Sequence, residues 1–392
     1  MIGFLLWREF KLSIAELINI FPENKIFFYD KKILILENLE KEKVLKIAKN
    51  IWWTIKIFEI KKINSKEDFL EELFFEASKF ESKFNYWINV FWNSKIKLSQ
   101  LLKTSKKLFK EEKKSARFAN NDLNKNLSSA QIINNKLLSK WWDFNYIENN
   151  NFIFFWKTIW IQDIENYSSR DYEKWRDMQV GMLPPKLSQM MINIGNTEKQ
   201  TNIYDPFVWL WTVLIEAALI WFKNIYWSDI SDRMVEKSFQ NLEQLKNKEK
   251  INFNFEIVKQ NAKFINEEKI LLEKKSNLIV TEWYLWEVMT KNNISEKRIF
   301  EQTERLSELY ERFFSGLKQI KYPWIIIISF PFWEISWKYF YFEDIYKILN
   351  KYCEIIKIFP ENLKLETKVW SLLYKREKQL VGREIFKLKI KE

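Results

Sequence analysis

The run Asp205-Pro206-Phe207-Val208-Trp209-Leu210-Trp211-Thr212, continued by Ile215-Glu216-Ala217, lies where a strand-like segment gives way to a helix-like one. A turn there presents the free backbone N–H groups of a helix N-terminus, which can hold a carboxylate if no Cβ intervenes. Three later strand-like segments also end in polar residues. Ile225 to Asp229 ends in an acid followed by Ile230, Phe253 to Val258 is followed by Gln260-Asn261-Ala262, and Leu278 leads into Thr281-Glu282-Trp283-Tyr284-Leu285-Trp286. An acid about twenty residues after a strand–turn–helix motif is placed to accept both hydroxyls of a ribose. Asp229 by itself would serve equally as a cap for a helix from Asp232, and its position relative to the first motif decides for the ribose. With no histidine and one cysteine, Cys353, the chain has no imidazole base, no Cys/His zinc site and no internal disulfide. Catalysis must use carboxylates, hydroxyls, amides or backbone.

The first motif requires small residues where Trp209 and Trp211 stand, because tryptophan does not readily adopt positive φ. Composition carries the same tension. The chain has 5 Gly and 20 Trp in 392 residues, where about 27 glycines are expected at roughly 7%, and the two counts together approach that expectation. Tryptophan is doubled at Trp52-Trp53 and Trp141-Trp142, follows Pro323 at Trp324, and falls in turn contexts at Trp333 and Trp337, whereas real tryptophan is large and mostly buried. We read many of these residues as glycines encoded by UGA and written as Trp by the standard code. Restored, the first motif becomes D-P-F-x-G-x-G-T and residues 281–286 become T-E-G-Y-L-G.

The N-terminal part alternates short apolar runs with amphipathic ones. Strands are predicted at Ile2 to Leu6, Lys25 to Tyr29, Ile33 to Leu36, Thr54 to Ile60 and Tyr86 to Phe91, with helices through Ile14 to Ile20, Lys41 to Lys49 and Lys66 to Phe80. A lysine-rich helix, the segment Ser115 to Phe118, a helix near Ser128 to Leu138, and strands at Phe144 to Ile147, Phe152 to Phe155 and Thr158 to Asp163 follow. This predicts an α+β region built on an antiparallel sheet. From about Asn202 strand and helix alternate regularly, through a long helix Glu296 to Ile320, the strand Trp324 to Ser329 and a helix Tyr339 to Tyr352, which implies a doubly wound α/β sheet. Glu354 to Phe359 and Arg383 to Ile390 read as a terminal hairpin.

The string Asp205 to Thr212 with its Ile215-Glu216-Ala217 continuation resembles the S-adenosylmethionine motif of amino-directed RNA methyltransferases. Asp163-Ile164-Glu165, Tyr167, Ser169-Arg170-Asp171-Tyr172, Arg176-Asp177 and Val180 to Asn193 around Leu183-Pro184-Pro185-Lys186-Leu187 look like the linker and pre-core helix of the transfer-RNA guanosine-10 N2-methyltransferase family. Val381-Gly382-Arg383-Glu384-Ile385 is similar to that family's closing strand, and Arg117 to Gln131 to its THUMP portion. The resemblance is specific from about Ala116 onward and diffuse before it. It implies a class I (Rossmann-like) methyltransferase domain, whose sheet ends in a hairpin, over residues 201–392. Residues 166–200 would be linker and pre-core helix, and residues 1–165 an α+β region including a THUMP-like RNA-binding domain.

The same resemblance implies S-adenosylmethionine as cofactor, held by Asp205, Pro206, Phe207, Trp209, Trp211, Thr212, Asp229, Ile230, Asn261 and Ala262. Relatives carry Asp before Ala262 to hold the adenine amino group, and Asn261 can offer only its carbonyl oxygen. Amino-methylating relatives carry [DN]-P-P-[YF] after the fourth strand, where this chain has Thr281-Glu282-Trp283-Tyr284 without the double proline. By that match Glu282 accepts the target N–H, Tyr284 stacks on a flipped base, and Thr281 completes the catalytic set. The implied product is N2-methylguanosine in transfer RNA. An amino-methyltransferase of ribosomal RNA or DNA is the nearest alternative, and a catalytically inactive RNA-binding protein is the alternative if the tryptophans are literal.

A 47% hydrophobic composition supports two or three cored domains. The longest apolar run, Trp324 to Trp333, contains a Pro and a Ser and is about half of what a membrane-spanning helix needs. Arg8 and Glu9 come too early for a secretory signal, so the expectation is a cytoplasmic protein without a membrane partner. The balance of 64 Lys+Arg against 52 Asp+Glu, +12 overall, favours a polyanion such as RNA. Eight lysines fall between Lys95 and Lys114, against Glu111 and Glu112. A small activating protein partner is left open. The native codons at Trp209, Trp211, Trp283 and Trp286 are expected to be UGA, with peptide mass spectrometry of protein from the source finding glycine there; UGG codons would end the recoding reading.

Overall fold

The computed structural model describes residues 1–81, 83–91, 96–148, 152–162, 183–195, 202–207, 212–220, 222–273, 276–282, 289, 293–377 and 379–392. The chain forms two compact units, one of Met1–Ile14 with Glu23–Lys174 and one of Ala15–Pro22 with Trp175–Glu392.

The first unit is built on an eight-stranded sheet among the described residues: β1 (Ile2–Leu6), β2 (Ile26–Tyr29), β3 (Ile33–Leu36), β4 (Thr54–Ile63), β5 (Phe84–Phe91), β6 (Ala116–Phe118), β7 (Trp142–Glu148) and β8 (Ile153–Ile161), in the order β2-β3-β1-β4-β8-β7-β5-β6. Helix α1 (Phe10–Ile20) is divided between the units, while α2 (Lys41–Ile47), α3 (Lys66–Ser78), α4 (Leu98–Glu111) and α5 (Ser129–Asn134) belong to the first. Local chemistry sets the helix starts: the Ser65 side chain accepts from Asp68 N, and Ser128 and Gln131 form a reciprocal capping box. On α4, Leu101, Leu102 and Phe109 turn inward and Lys103, Lys106, Lys107 and Lys110 turn to solvent, so the lysine-rich segment is an amphipathic helix with a basic face.

Two expectations need correction here. The sheet is mixed, because β5 runs parallel to both β6 and β7; a period-two pattern gives facing but not direction. The two strands expected at Phe152 to Phe155 and Thr158 to Asp163 are one, β8, whose pairing with β4 shifts register between Ile57 and Phe58. That irregularity absorbs the break in alternation.

The second unit contains α6 (Pro185–Gly195), β9 (Asn202–Asp205), α7 (Thr212–Leu219), β10 (Asn224–Asp229), α8 (Asp232–Glu249) and β11 (Asn254–Lys259). A 3-10 turn (Ala262–Glu267), α9 (Lys269–Leu272), β12 (Leu278–Glu282), α10 (Glu296–Gln319) and β13 (Ile325–Ile335) follow, then β14 (Lys338–Tyr341), α11 (Glu343–Tyr352), β15 (Cys353–Ile356), β16 (Leu372–Tyr374) and β17 (Val381–Ile390). The sheet order is β11-β10-β9-β12-β13-β17-β15, with β14 paired to β13 and β16 to β17. Strands β9 to β13 are parallel, and β17 runs antiparallel between β13 and β15. Doubly wound parallel strands closed by one reversed strand constitute the Rossmann-like class I methyltransferase fold. Tyr204, Ile279, Ile326 and Ile328 pack beneath Leu306, Tyr310, Phe313 and Phe314 of α10, which explains the unbroken apolar runs in these strands. No helix among the described residues is long and apolar enough to cross a membrane.

The helix expected from Tyr339 begins instead at Glu343, because Lys338 to Tyr341 fold back on β13 as β14. Phe332 lies opposite Tyr341, their rings stacked 5.6 Å apart, and such cross-strand aromatic pairing outweighs the helical pattern. The connecting turn is Ser336-Trp337, with φ of 49° and 67°. A two-residue hairpin with both φ positive is the type I′ turn, which favours glycine at its second position. Trp337 is 93% exposed there, and Trp370, 44% exposed, also has positive φ, 60°. Both positions behave as glycine sites. Trp333, expected in a turn, is instead buried within β13, and Trp87, Trp156 and Trp227 fill the interiors of β5, β8 and β10. The indole N–H groups of Trp87, Trp156 and Trp227 are buried without an acceptor among the described residues, an unfavourable state for tryptophan. Trp337→Gly and Trp370→Gly are each expected to raise stability by about 1 kcal/mol, measured by urea unfolding; a loss of stability in both would contradict the assignment.

Candidate active site

The order of the sheet reverses its winding at β9, with β10 on one side and β12 on the other. Ligands of doubly wound folds enter at such a point, beyond the carboxyl ends of the strands. A crevice of about 500 Å³ lies there, walled by Pro206 and Phe207 after β9, Asp229 and Ile230 after β10, Asn261 to Lys263 after β11, and Leu306 and Leu309 of α10. The Phe207 ring packs against Tyr310 and Phe313, with centroids 5.9 and 5.5 Å away. It is therefore a fixed wall.

Six of the residues expected at the cofactor, Pro206, Phe207, Asp229, Ile230, Asn261 and Ala262, line this crevice. Asp229 is half-buried, and Oδ1 accepts from Ser231 N at 2.7 Å. Burial pushes its carboxyl up to about 6, opposed by the backbone N–H groups of Ser231 and Ile230. Ser231, rather than Asp229, occupies the N-cap position of α8. Asn261 caps the 3-10 turn, its Oδ1 accepting from Lys263 N at 3.0 Å, so the carbonyl expected to face an adenine amino group already has a backbone partner. Lys263 and Glu308 pair at 2.9 Å.

Asp205 lies beneath the crevice and does not line it. Its Oδ1 accepts from Thr281 Oγ1 at 2.6 Å and from Phe207 N at 3.1 Å. Burial pushes the carboxyl up to about 7, against these two hydrogen bonds, with Asp229 and Glu282 adding repulsion. Thr281 is likewise buried, and its hydroxyl donates to Asp205 and so holds that carboxyl in place. Thr212 is buried at the start of α7. Trp209, Trp211 and Tyr284 lie outside the described residues, as do Trp283, Trp286 and most of the expected linker.

Glu282 ends β12, and its Oε1 accepts from Arg383 Nε of β17 at 2.5 Å. Burial raises its carboxyl above the ordinary range and the guanidinium opposes that rise. Sequence reasoning placed Arg383 in the closing strand without a role. Leu306 and Leu309 carried only the signal of helical spacing, which does not tell which turn of a helix faces a cleft.

The donor set suits a nucleoside. A carboxylate stands where vicinal hydroxyls can donate, and Phe207, Leu306 and Leu309 supply apolar walls for a flat ring. Residues 173–283 match the sequence model of the family described as UPF0020, RMKL-like, methyltransferase domain. No curated protein matches the chain. Among solved structures, TrmN from Thermus thermophilus aligns with TM-score 0.45 and 11% identity over 99% of both chains. A possible methylase from Clostridium difficile 630 aligns with TM-score 0.46 and 12% identity, over 100% of this chain and 98% of the other. The precorrin-6y C5,15-methyltransferase of Geobacter metallireducens GS-15 gives TM-score 0.32 and 10% identity, over 56% of this chain and 95% of that one. The strand order and the domain match support a methyltransferase enzyme.

The buried Asp205 makes stability pH-dependent with a definite sign. Its carboxyl titrates near 7 in the folded chain and near about 3.9 unfolded, so the folded state holds a proton that the unfolded state releases. Its contribution is present below about pH 4 and lost as pH rises through about 7. In Asp205→Asn, which keeps the acceptor oxygen, the difference in unfolding free energy from wild type should grow in the variant's favour between pH 4 and 8. Parallel profiles would contradict the assignment.

Proposed function

We propose that the chain is an S-adenosylmethionine-dependent RNA methyltransferase that forms N2-methylguanosine in transfer RNA. The observation that carries the reading is the division of two acids at one sheet edge: Asp229 lines the nucleoside-sized crevice, while Glu282 stands outside it at the end of β12. Asp229 would accept the ribose hydroxyls, Phe207, Leu306 and Leu309 would flank the adenine, and the start of α7 would face the carboxylate end. S-adenosylmethionine supplies an electrophilic methyl group on a sulfonium. Glu282 would accept an N–H of the exocyclic amine and draw off its proton late, since a guanine N2 amine is weakly nucleophilic and gains most from positioning. Tyr284, Trp209 and Trp211, the last two as glycine, complete the proposed site by resemblance.

The catalytic unit has little means of measuring where a base sits in a folded RNA, so the first unit is proposed to read RNA shape through its phosphates. The exposed lysines of α4 suit that role, and the THUMP-like stretch Arg117 to Gln131 lies in the same unit. A cytoplasmic location and a small activating partner remain compatible with this reading.

In the glycine-restored protein, Asp229→Ala should weaken S-adenosylmethionine binding about tenfold or more, because charge-assisted hydrogen bonds are removed. Glu282→Ala should leave that affinity nearly unchanged while cutting turnover, and equal loss of affinity in both would contradict the division of labour. Nucleoside analysis of methylated transfer RNA should find N2-methylguanosine. N6-methyladenosine, or methylation confined to ribosomal RNA or DNA, would overturn the substrate assignment. Replacing Lys103, Lys106, Lys107 and Lys110 by Gln should weaken RNA binding and reduce its salt slope by about one for every phosphate no longer neutralised.

A further inference from the structure

Glu282 and Arg383 come from strands that are not neighbours. Glu282 is in register with Ser329 of β13, and Arg383 stands opposite Pro331 on the far side of β13. Residues in register share a face, and so do residues two apart along a strand. Glu282, Ser329, Pro331 and Arg383 therefore lie on one face, and the guanidinium reaches across β13 to close the pair at 2.5 Å. Both side chains are nearly enclosed, Arg383 being 11% and Glu282 16% exposed.

The backbone fixes the arginine's root. A Cβ on Gly382 would meet the Phe332 ring at 2.1 Å, so glycine lets that ring lie across β17 beside Arg383. The adjoining acid, Glu384, is directed elsewhere: it accepts from Tyr346 Oη at 2.7 Å and Ser371 Oγ at 2.5 Å. Among the described residues, Glu282 is the carboxylate paired with Arg383, and only its Oε1 is so engaged. Oε2 is left to meet an incoming donor.

We propose that Arg383 is a positioning residue for methyl transfer: it holds the Glu282 carboxylate as an acceptor aimed at the target amine. This rests on the methyltransferase reading. A carboxyl buried to this degree without a cation favours the protonated form, and a protonated carboxyl directs an O–H where the amine needs an acceptor. Arg383 does not touch the reacting atoms; its effect passes through Glu282.

Two readouts separate this from a structural role. In protein labelled with 13C at glutamate carboxyls, the Glu282 signal is identified by its loss in Glu282→Gln. Its titration midpoint should rise by about 1–3 pH units in Arg383→Gln, the size of shift that removing a close opposite charge produces, and stay near the wild-type midpoint in Arg383→Lys. In methyl transfer to RNA, Arg383→Gln should lower kcat and move the acidic limb of the pH profile upward by the same amount, with S-adenosylmethionine affinity kept. Arg383→Lys should retain the limb with partial loss of kcat, and this arm decides if Arg383→Gln does not fold. An unmoved Glu282 titration, or an unmoved acidic limb despite a moved titration, would overturn the proposal. Failure of the wild-type protein to methylate any RNA would instead sink the function on which the proposal rests, while the titration still reports whether the pair is coupled.

Discussion

The hydrogen bond from Thr281 Oγ1 to Asp205 Oδ1 ties the two strands between which the sheet changes its direction of winding. Backbone pairing between β9 and β12 is short, Ile203 opposite Leu278 and Tyr204 opposite Ile279. The side-chain bond joins the two strands past the last rung of that ladder. Asp205 also accepts from Phe207 N, so the same carboxyl shapes the turn that becomes the crevice wall. A group enclosed this thoroughly accepts a raised pKa in return for fixing three segments at once.

The acids at strand ends were legible because a doubly wound fold leaves a simple imprint: an apolar run, a polar residue, a helix. Asp229, Asn261 and Glu282 could thus be placed by counting strands. Their partners could not, because partners arrive from distant sequence. Arg383 meets Glu282 only through the insertion of β17 beside β13, and Leu306 and Leu309 face the crevice only because Tyr310, Phe313 and Phe314 set the roll of α10 against the core. Asp205 and Thr281 entered the expected site through two separate motifs, and in the fold the hydroxyl of one donates to the carboxyl of the other. The parallel pairing of β5 and the strand conformation of Tyr339 to Tyr341, expected as helix, are tertiary outcomes of the same kind.

The tryptophans divide by environment. At Trp337 and Trp370 the backbone takes the conformation that glycine adopts freely, and the side chains are exposed, Trp337 almost wholly and Trp370 in part. At Trp87, Trp156 and Trp227 large indoles fill strand interiors, and among the described residues their N–H groups have no acceptor. Glycine in those strands would leave space that neighbouring apolar residues must fill, and would let backbones approach more closely. The two environments bear on the same substitution in opposite ways: relief of backbone strain in the turns, repacking in the sheets.

Strand β17 is synthesised after β15 but lies between it and β13. Until β17 arrives, β13 presents an open edge and β15 has no place in the sheet. A nascent chain complete through β15 would therefore carry the crevice-forming strands while lacking the residue that pairs with Glu282. Closure of the sheet must await a long-range insertion, the slow class of folding event. On the proposed function, nucleoside binding then precedes methyl transfer during synthesis, with the order of translation itself keeping the two apart.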